Sequence, residues 1–266
     1  MLPIMNIALR AARQANEYIV QAVDKRESNS ADASADIKLL NHLEATLFQV
    51  LFDSLKPGYP THYLAEPGET LASEKDDSWH IIGFDSASHL FKKLPTCTYS
   101  IVHRHQGKTQ NTMVISPFTG NEFTATRGRG ATLNSRRIRC TSAKSLAEAS
   151  LGSNSINQFK NASQDHAIAD FISELSNNVG QIYVSGNNTL DIAMVASGQL
   201  DAAVLTNSSI DTLEASLLLC QESGVLSGTL NGGLLKSGQG NIVAANPKLY
   251  KSLVQRFGGY EAKLQA

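Results

Sequence analysis

Apolar side chains at Ile4, Ile7, Ala8, Ala11, Ala12, Ala15, Tyr18, Ile19 and Ala22 recur at the helical period, with Arg10, Arg13 and Gln14 on the opposite side. This spacing predicts an amphipathic helix over residues 4–22, and Pro3 suits its first turn, where a missing N–H costs no hydrogen bond. Residues 24–36 are small, polar and aperiodic, which predicts a mobile loop. Leu40, Leu43, Leu47, Val50 and Leu51 restore the helical period from about Ile37, with Asp36 as the expected N-cap and Pro57-Gly58 as the stop. Between 61 and 140 the pattern shortens to that of strands. Thr98–His105 and Thr109–Ser116, joined across Gln-Gly-Lys, read as a hairpin, and Glu122–Thr126 and Ala131–Cys140 as further strands flanking Arg127-Gly-Arg-Gly130. Beyond residue 145 strands (near 148–152, 181–185, 200–205 and 241–245) alternate with helices (near 164–176, 188–197, 211–222 and 247–256).

The fold class that follows is α/β with an α+β N-terminal half. Residues 1–142 are expected to lay two helices on an antiparallel sheet, and 143–266 to form an α/β unit with helices on both faces of its sheet. A ligand cleft is expected where the two meet. Composition agrees with a large packed core, at 42% apolar and 18% charged residues. A net charge of −1 exerts no general pull on nucleic acid, so binding of that kind needs a local patch. No apolar run approaches the ~18 residues of a membrane span, and the first residues carry no basic and apolar leader pattern. Cys97, Cys140 and Cys220 are odd in number and widely spaced, which suggests free thiols in a reducing cytoplasm and argues against a zinc site.

The stretch from Trp79 to Pro95 outlines a strand (Trp79 to Ile82), a tight turn, and a helix start around Asp85 and Ser86. It resembles the signature of the inositol monophosphatase superfamily, which reads Asp-Pro-Leu-Asp-Gly-Thr with a short run to Leu-Pro. Four strings match a bacterial branch of that family in order: Met5–Arg13, Phe123–Ala131 with Leu133-Asn134, Leu190–Gly198, and Gly240–Pro247. The resemblance implies a layered αβαβα sugar-phosphatase sandwich, a homodimer, and a site for two Mg²⁺ ions. Such ions demand hard oxygen ligands and together activate a water for in-line attack on phosphorus.

Carried over by resemblance, the site is degenerate. Ile82 stands where the family has its bridging carboxylate, Gly83 where it has Pro, and Ser86-Ala87 where Gly-Thr holds the phosphate and helps activate the water. Asp85 keeps the second carboxylate, Glu66 stands in for one of a Glu-Glu pair, and Asp211 keeps the last ligand without the preceding Trp. Glu44 occupies the position of the Asp that positions the water, and Ser216 that of a substrate-binding Glu. Each survivor has an ordinary alternative. Asp85 and Asp211 precede helical segments, where Asp makes a good N-cap; Glu66 reads as a solvated loop residue and Glu44 as a surface charge. Ile82, a β-branched aliphatic ending an apolar strand, is expected to close the site by packing.

Two features lie outside this scheme. Arg127, Arg129, Arg136, Arg137 and Arg139 concentrate positive charge in a near-neutral chain, as an RNA contact would. A hairpin edge kept soluble by charge explains them better, since no aromatic residues are interleaved. His103 and His105 alternate on one strand face and could bind a metal. With no third ligand nearby in sequence they read as residues of a solvated edge, so no cofactor is expected. The functional expectation is a non-catalytic scaffold of the inositol monophosphatase type. The resembling bacterial branch implies a role in ribosomal RNA transcription antitermination, in contact with NusA and RNA polymerase. The alternative is a weak or altered Mg²⁺-dependent phosphomonoesterase acting on inositol monophosphate or a related sugar phosphate.

Overall fold

The computed structural model describes residues 2–26, 33–66, 69, 76–158 and 165–264. The chain divides into two compact units, 1–122 and 123–266.

The first unit opens with α1 (Pro3–Lys25) and α2 (Ala33–Leu55). Both stripes predicted from the sequence face the core: Ala8, Ala12, Ala15 and Ile19 of α1, and Leu43, Leu47 and Leu51 of α2, are fully buried. Each buried leucine contributes about 1.5–3 kcal/mol. Part of the polar stretch 24–36 is helical, and residues 27–32 lie outside the described residues. Asp36 does not cap α2; it sits in the first turn, where its carboxylate takes a bidentate pair from Arg26 at 2.6 and 2.8 Å. Small polar residues carry this turn because the ion pair and the helix dipole support it.

The two-residue strand β1 (Tyr63–Leu64) pairs parallel with β2 (Asp77–Asp85), and the short helix α3 (Ala87–Phe91) follows. The antiparallel ladder continues through β3 (Thr98–His105) and β4 (Lys108–Ser116). The hairpin expected across Gln-Gly-Lys is present, its turn formed by Gln106 and Gly107 at positive φ. Trp79, Phe84, Tyr99, Ile101, Met113 and Ile115 pack with α1 and α2 into one core.

The unit boundary falls inside β5 (Asn121–Thr126). The single strand predicted over Ala131–Cys140 is instead a hairpin: β6 (Gly130–Leu133), a turn, and β7 (Arg136–Arg137). Asn134 and Ser135 both take positive φ, the geometry that a two-residue hairpin turn requires. A five-stranded sheet follows in the order β11-β12-β10-β8-β9. It is built from β8 (Ser150–Ser153), α4 (Asp165–Asn178), β9 (Gln181–Tyr183), α5 (Asn188–Ala196), β10 (Ala202–Ser209), α6 (Glu214–Ser223), β11 (Leu226–Gly228), β12 (Gln239–Ala245) and α7 (Pro247–Phe257). The alternation read from the sequence is present throughout; the three-residue strand β11 is the addition. Side chains that bond backbone N–H groups fix two helix starts. Asn187 accepts from Leu190 at 2.8 Å, and Asn246, ahead of Pro247 in the first turn, accepts from Lys248 and Leu249. Phe171 and Leu175 of α4 and Leu249, Leu253 and Phe257 of α7 close the core against this sheet.

Candidate functional site

The strand that carries the signature runs further than its sequence suggests. β2 continues to Asp85, and the ladder with β3 skips from Ile82, opposite Ser100, to Asp85, opposite Thr98. Three residues of β2 therefore span two of β3, a bulge in place of the expected tight turn. A bulge frees a ladder N–H that needs a new acceptor. Here the Phe84 N–H donates to the carboxylate of Glu44, which reaches over from α2. Glu44 is thus no surface charge: it is half-buried, and burial raises its pKa, partly offset by the Phe84 hydrogen bond.

Gly83 makes this arrangement possible. A Cβ built on it would stand 3.0 Å from Glu44 Cδ and closer still to Oε1, so any larger residue would evict the carboxylate. Sequence reading missed this pairing. The available signal was the joint occurrence of Gly at 83 and the longer Glu at 44.

The other expected site residues are placed as follows. Ile82 is half-buried and is not among the residues of the core that Trp79 and Phe84 enter, so it is not the fully packed plug that its side chain suggested. Asp85 ends β2, with its Oδ1 3.4 Å from the Ser86 hydroxyl. Ser86 occupies the N-cap position of α3 with φ 60° and ψ 58° and makes no side-chain cap, while Ala87 opens a helix of only five residues. Glu66 is exposed, as a solvated loop residue should be, and its N–H donates to the Glu69 carboxylate.

In the second unit Asp211 does not cap its helical turn. It is the first residue of that turn, and its Oδ2 accepts from the Ser237 hydroxyl at 3.0 Å and the Gly238 N–H at 3.1 Å, tying down the segment before β12. Ser216 is fully buried and donates to the Thr189 carbonyl at 2.8 Å, a link between α6 and α5.

The Mg²⁺ centre implied by the resemblance fits the β2 end poorly. Ile82 offers no oxygen, and Glu44 is engaged by a backbone N–H, which leaves Asp85 as the strand's own carboxylate donor there. Two ions of near-octahedral demand need more oxygens than that.

The five arginines have different surroundings. Arg127 donates to Gln221 at 3.0 Å and Arg139 to the Glu222 carbonyl at 3.2 Å, both on α6. The Glu222 carboxylate takes the N–H groups of Gly128 at 2.7 Å and Gly130 at 2.8 Å, fastening the β5–β6 turn. Arg137 lies against Gly130, and Arg129, Arg136, Arg137 and Arg139 are exposed.

A bulged strand ends in Asp85 and leads into a short helix on a sheet backed by two long helices, a fold shared with solved inositol monophosphatases. The sequence matches the inositol monophosphatase family over residues 1–260, and the chain belongs to that family. Within it the chain is similar to proteins named Nus factor SuhB. It is 33% identical to that of Pseudomonas aeruginosa over 261 residues, covering 96% of this chain and 95% of the relative, and 30% identical to that of Escherichia coli over 256 residues, with the same coverage. Among solved structures, inositol monophosphatase II of Staphylococcus aureus superposes with a TM-score of 0.82 at 19% identity over the full length of both chains. The suhB suppressor protein of Bartonella henselae superposes with a TM-score of 0.77 at 21% identity, covering 97% of this chain and all of that one. Among the described residues no helix is long and apolar enough to cross a membrane.

Proposed function

We propose that this SuhB-like member of the family is a non-catalytic scaffold, a homodimer whose work is to bind the transcription antitermination machinery through NusA. The observation that carries the reading is the β2 bulge. An aliphatic residue stands where the bridging ligand is expected, and the Glu44 carboxylate is committed to the Phe84 N–H. Phosphate monoesters need barrier reductions of ~20 kcal/mol, supplied chiefly by metal charge and by positioning of the water. A site without the bridging carboxylate and without a hydroxyl at Ala87 gives up both. The name Nus factor, borne by relatives that match 96% of this chain, supplies the partner class.

Purified protein should show no Mg²⁺-dependent turnover of a generic phosphomonoester or of inositol monophosphate, should sediment as a dimer at micromolar concentration, and should bind purified NusA in calorimetry. Turnover that saturates with Mg²⁺ overturns the reading in favour of a sugar-phosphate phosphatase acting through Asp85 and Asp211. Absence of NusA binding by the dimer removes the antitermination role.

A further inference from the structure

The opposite end of β2 holds a cluster that the family scheme does not use. The register sets Asp77 opposite His105 and Trp79 opposite His103, while His62 lies just before β1, the parallel neighbour of β2. The Asp77 carboxylate is consequently ringed by imidazoles: His103 Nε2 at 3.2 Å and His105 Nδ1 at 3.0 Å from Oδ1, and His62 Nε2 at 3.9 Å from Oδ2. One donor atom each from His62, Asp77 and His103 all lie within 4.8 Å of one another. Donors around a tetrahedral ion with bonds of ~2.0–2.1 Å stand roughly 3.3 Å apart; Asp77 and His103 already meet at 3.2 Å, and His62 closes in from 3.9 Å on loading.

We propose that His62, Asp77 and His103 form a binding site for a divalent transition-metal ion of the zinc class, with the exposed His105 at its rim positioning the Asp77 carboxylate through a hydrogen bond. The partners that His103 lacks nearby in sequence arrive from β2 and from the residue just before β1. Two imidazole nitrogens beside one carboxylate suit Zn²⁺, and Mg²⁺ would prefer carboxylate and water oxygens. This site is therefore chemically distinct from the degenerate Mg²⁺ position at the far end of the strand.

The ligands are held in advance. The His103 ring is stacked against Trp79 (4.6 Å between centroids) and against His62 (5.4 Å, 7° between planes). The Asn111 side-chain amide meets His103 Nδ1 at 2.9 Å, the kind of outer contact that fixes a ligating ring. A narrow cleft lined by Lys56, Tyr59, His62 and Trp79 opens beside the cluster.

One contact changes on loading. Trp79 Nε1–H donates to His62 Nδ1 at 3.2 Å, so the neutral His62 ring carries its proton on Nε2. When the Nε2 electron pair goes to a metal, that proton moves to Nδ1, which then cannot face the indole N–H. Loading must break the Trp79–His62 hydrogen bond with no net proton released by the ring. Trp79 is the chain's only tryptophan, so intrinsic indole fluorescence reports on this site alone.

The test uses the full-length chain, stripped with a chelator, dialysed, and titrated with Zn²⁺ or with Co²⁺. The expected result is one saturable ion per chain, a raised melting temperature, altered Trp79 fluorescence at the same equivalence point, and visible Co²⁺ bands of tetrahedral intensity. His105→Ala, at an exposed position, should weaken binding several-fold without disturbing the fold, and Asp77→Asn should abolish saturation. Mg²⁺ at the same concentration should do none of this. Zn²⁺ titrations that do not saturate overturn the proposal. So does stoichiometric binding that leaves Trp79 fluorescence unchanged and is indifferent to His105→Ala.

Discussion

Glu44 and Asp77 are two partly buried carboxylates at opposite ends of one strand, and their acidities shift in opposite directions. At Glu44 burial dominates, the Phe84 N–H offsets it only in part, and the pKa rises. At Asp77 burial also pushes upward, but the hydrogen bond from His105 and the nearness of His62 and His103 outweigh it, and the pKa falls. The contrast teaches that burial raises a carboxylate's pKa unless hydrogen bonds and cationic neighbours outweigh it. At one end of β2 a carboxylate holds the strand's own backbone, and at the other three imidazoles gather round one. In the second unit the buried Ser216 hydroxyl finds its partner in the Thr189 carbonyl.

The comparison breaks most visibly if Ile82 is replaced. Ile82→Asp should cost about 2 kcal/mol in urea denaturation, short of the full burial value because the side chain is only half-buried, and Mg²⁺ should not restore the loss. Recovery with millimolar Mg²⁺ would mean that the site end of β2 still accepts an ion. Next in size is Gly83→Ala, whose methyl must displace the Glu44 carboxylate from the Phe84 N–H. Loss of that bond, partly offset by the lower chain entropy of Ala, predicts a net cost of about 1 kcal/mol. The same substitution made in a Glu44→Ala background should be neutral or stabilising. Equal costs in both backgrounds would refute the steric coupling.

The smallest effect concerns pH. Because the folded-state pKa of Glu44 lies above its unfolded value, the folded protein holds the extra proton just above pH 4.5, and stability contributed by this group falls as pH rises through that window. Glu44→Gln keeps an acceptor for Phe84 and removes the titration, so its melting temperature should lack this component of the slope. Parallel stability–pH curves for the two proteins would show that Glu44 titrates normally.

Much of the fold was legible because local rules and burial agree. The stripes of α1 and α2, the Gln106-Gly107 turn and the caps at Asn187 and Asn246 each announce themselves within a few residues. The misreadings are places where a distant partner decides. Asp36 looks like a cap until Arg26 claims it, and Ala131–Cys140 looks continuous until Asn134 and Ser135 take positive φ. Glu44 looks like a solvated helix residue until the bulge at Gly83 presents an N–H. His103 and His105 looked unsupported because Asp77 comes from 26 and 28 residues earlier in the chain and is brought opposite them only by strand register.

The β5–β6 turn, with glycines at positive φ on either side of Arg129, is the kind of backbone concavity that grips anions in many proteins. Here the anion is already supplied by the chain itself, since Glu222 occupies the N–H groups of Gly128 and Gly130. A phosphodiester approaching this hairpin would find the amide cradle taken and would meet exposed arginine side chains, Arg129, Arg136, Arg137 and Arg139 among them. Attraction of that kind is paid in released counterions, about 0.9 of an ion per duplex phosphate neutralised and fewer on a single strand. It would fade steeply with ionic strength and read no base sequence, so any RNA held here would be held through its charge alone.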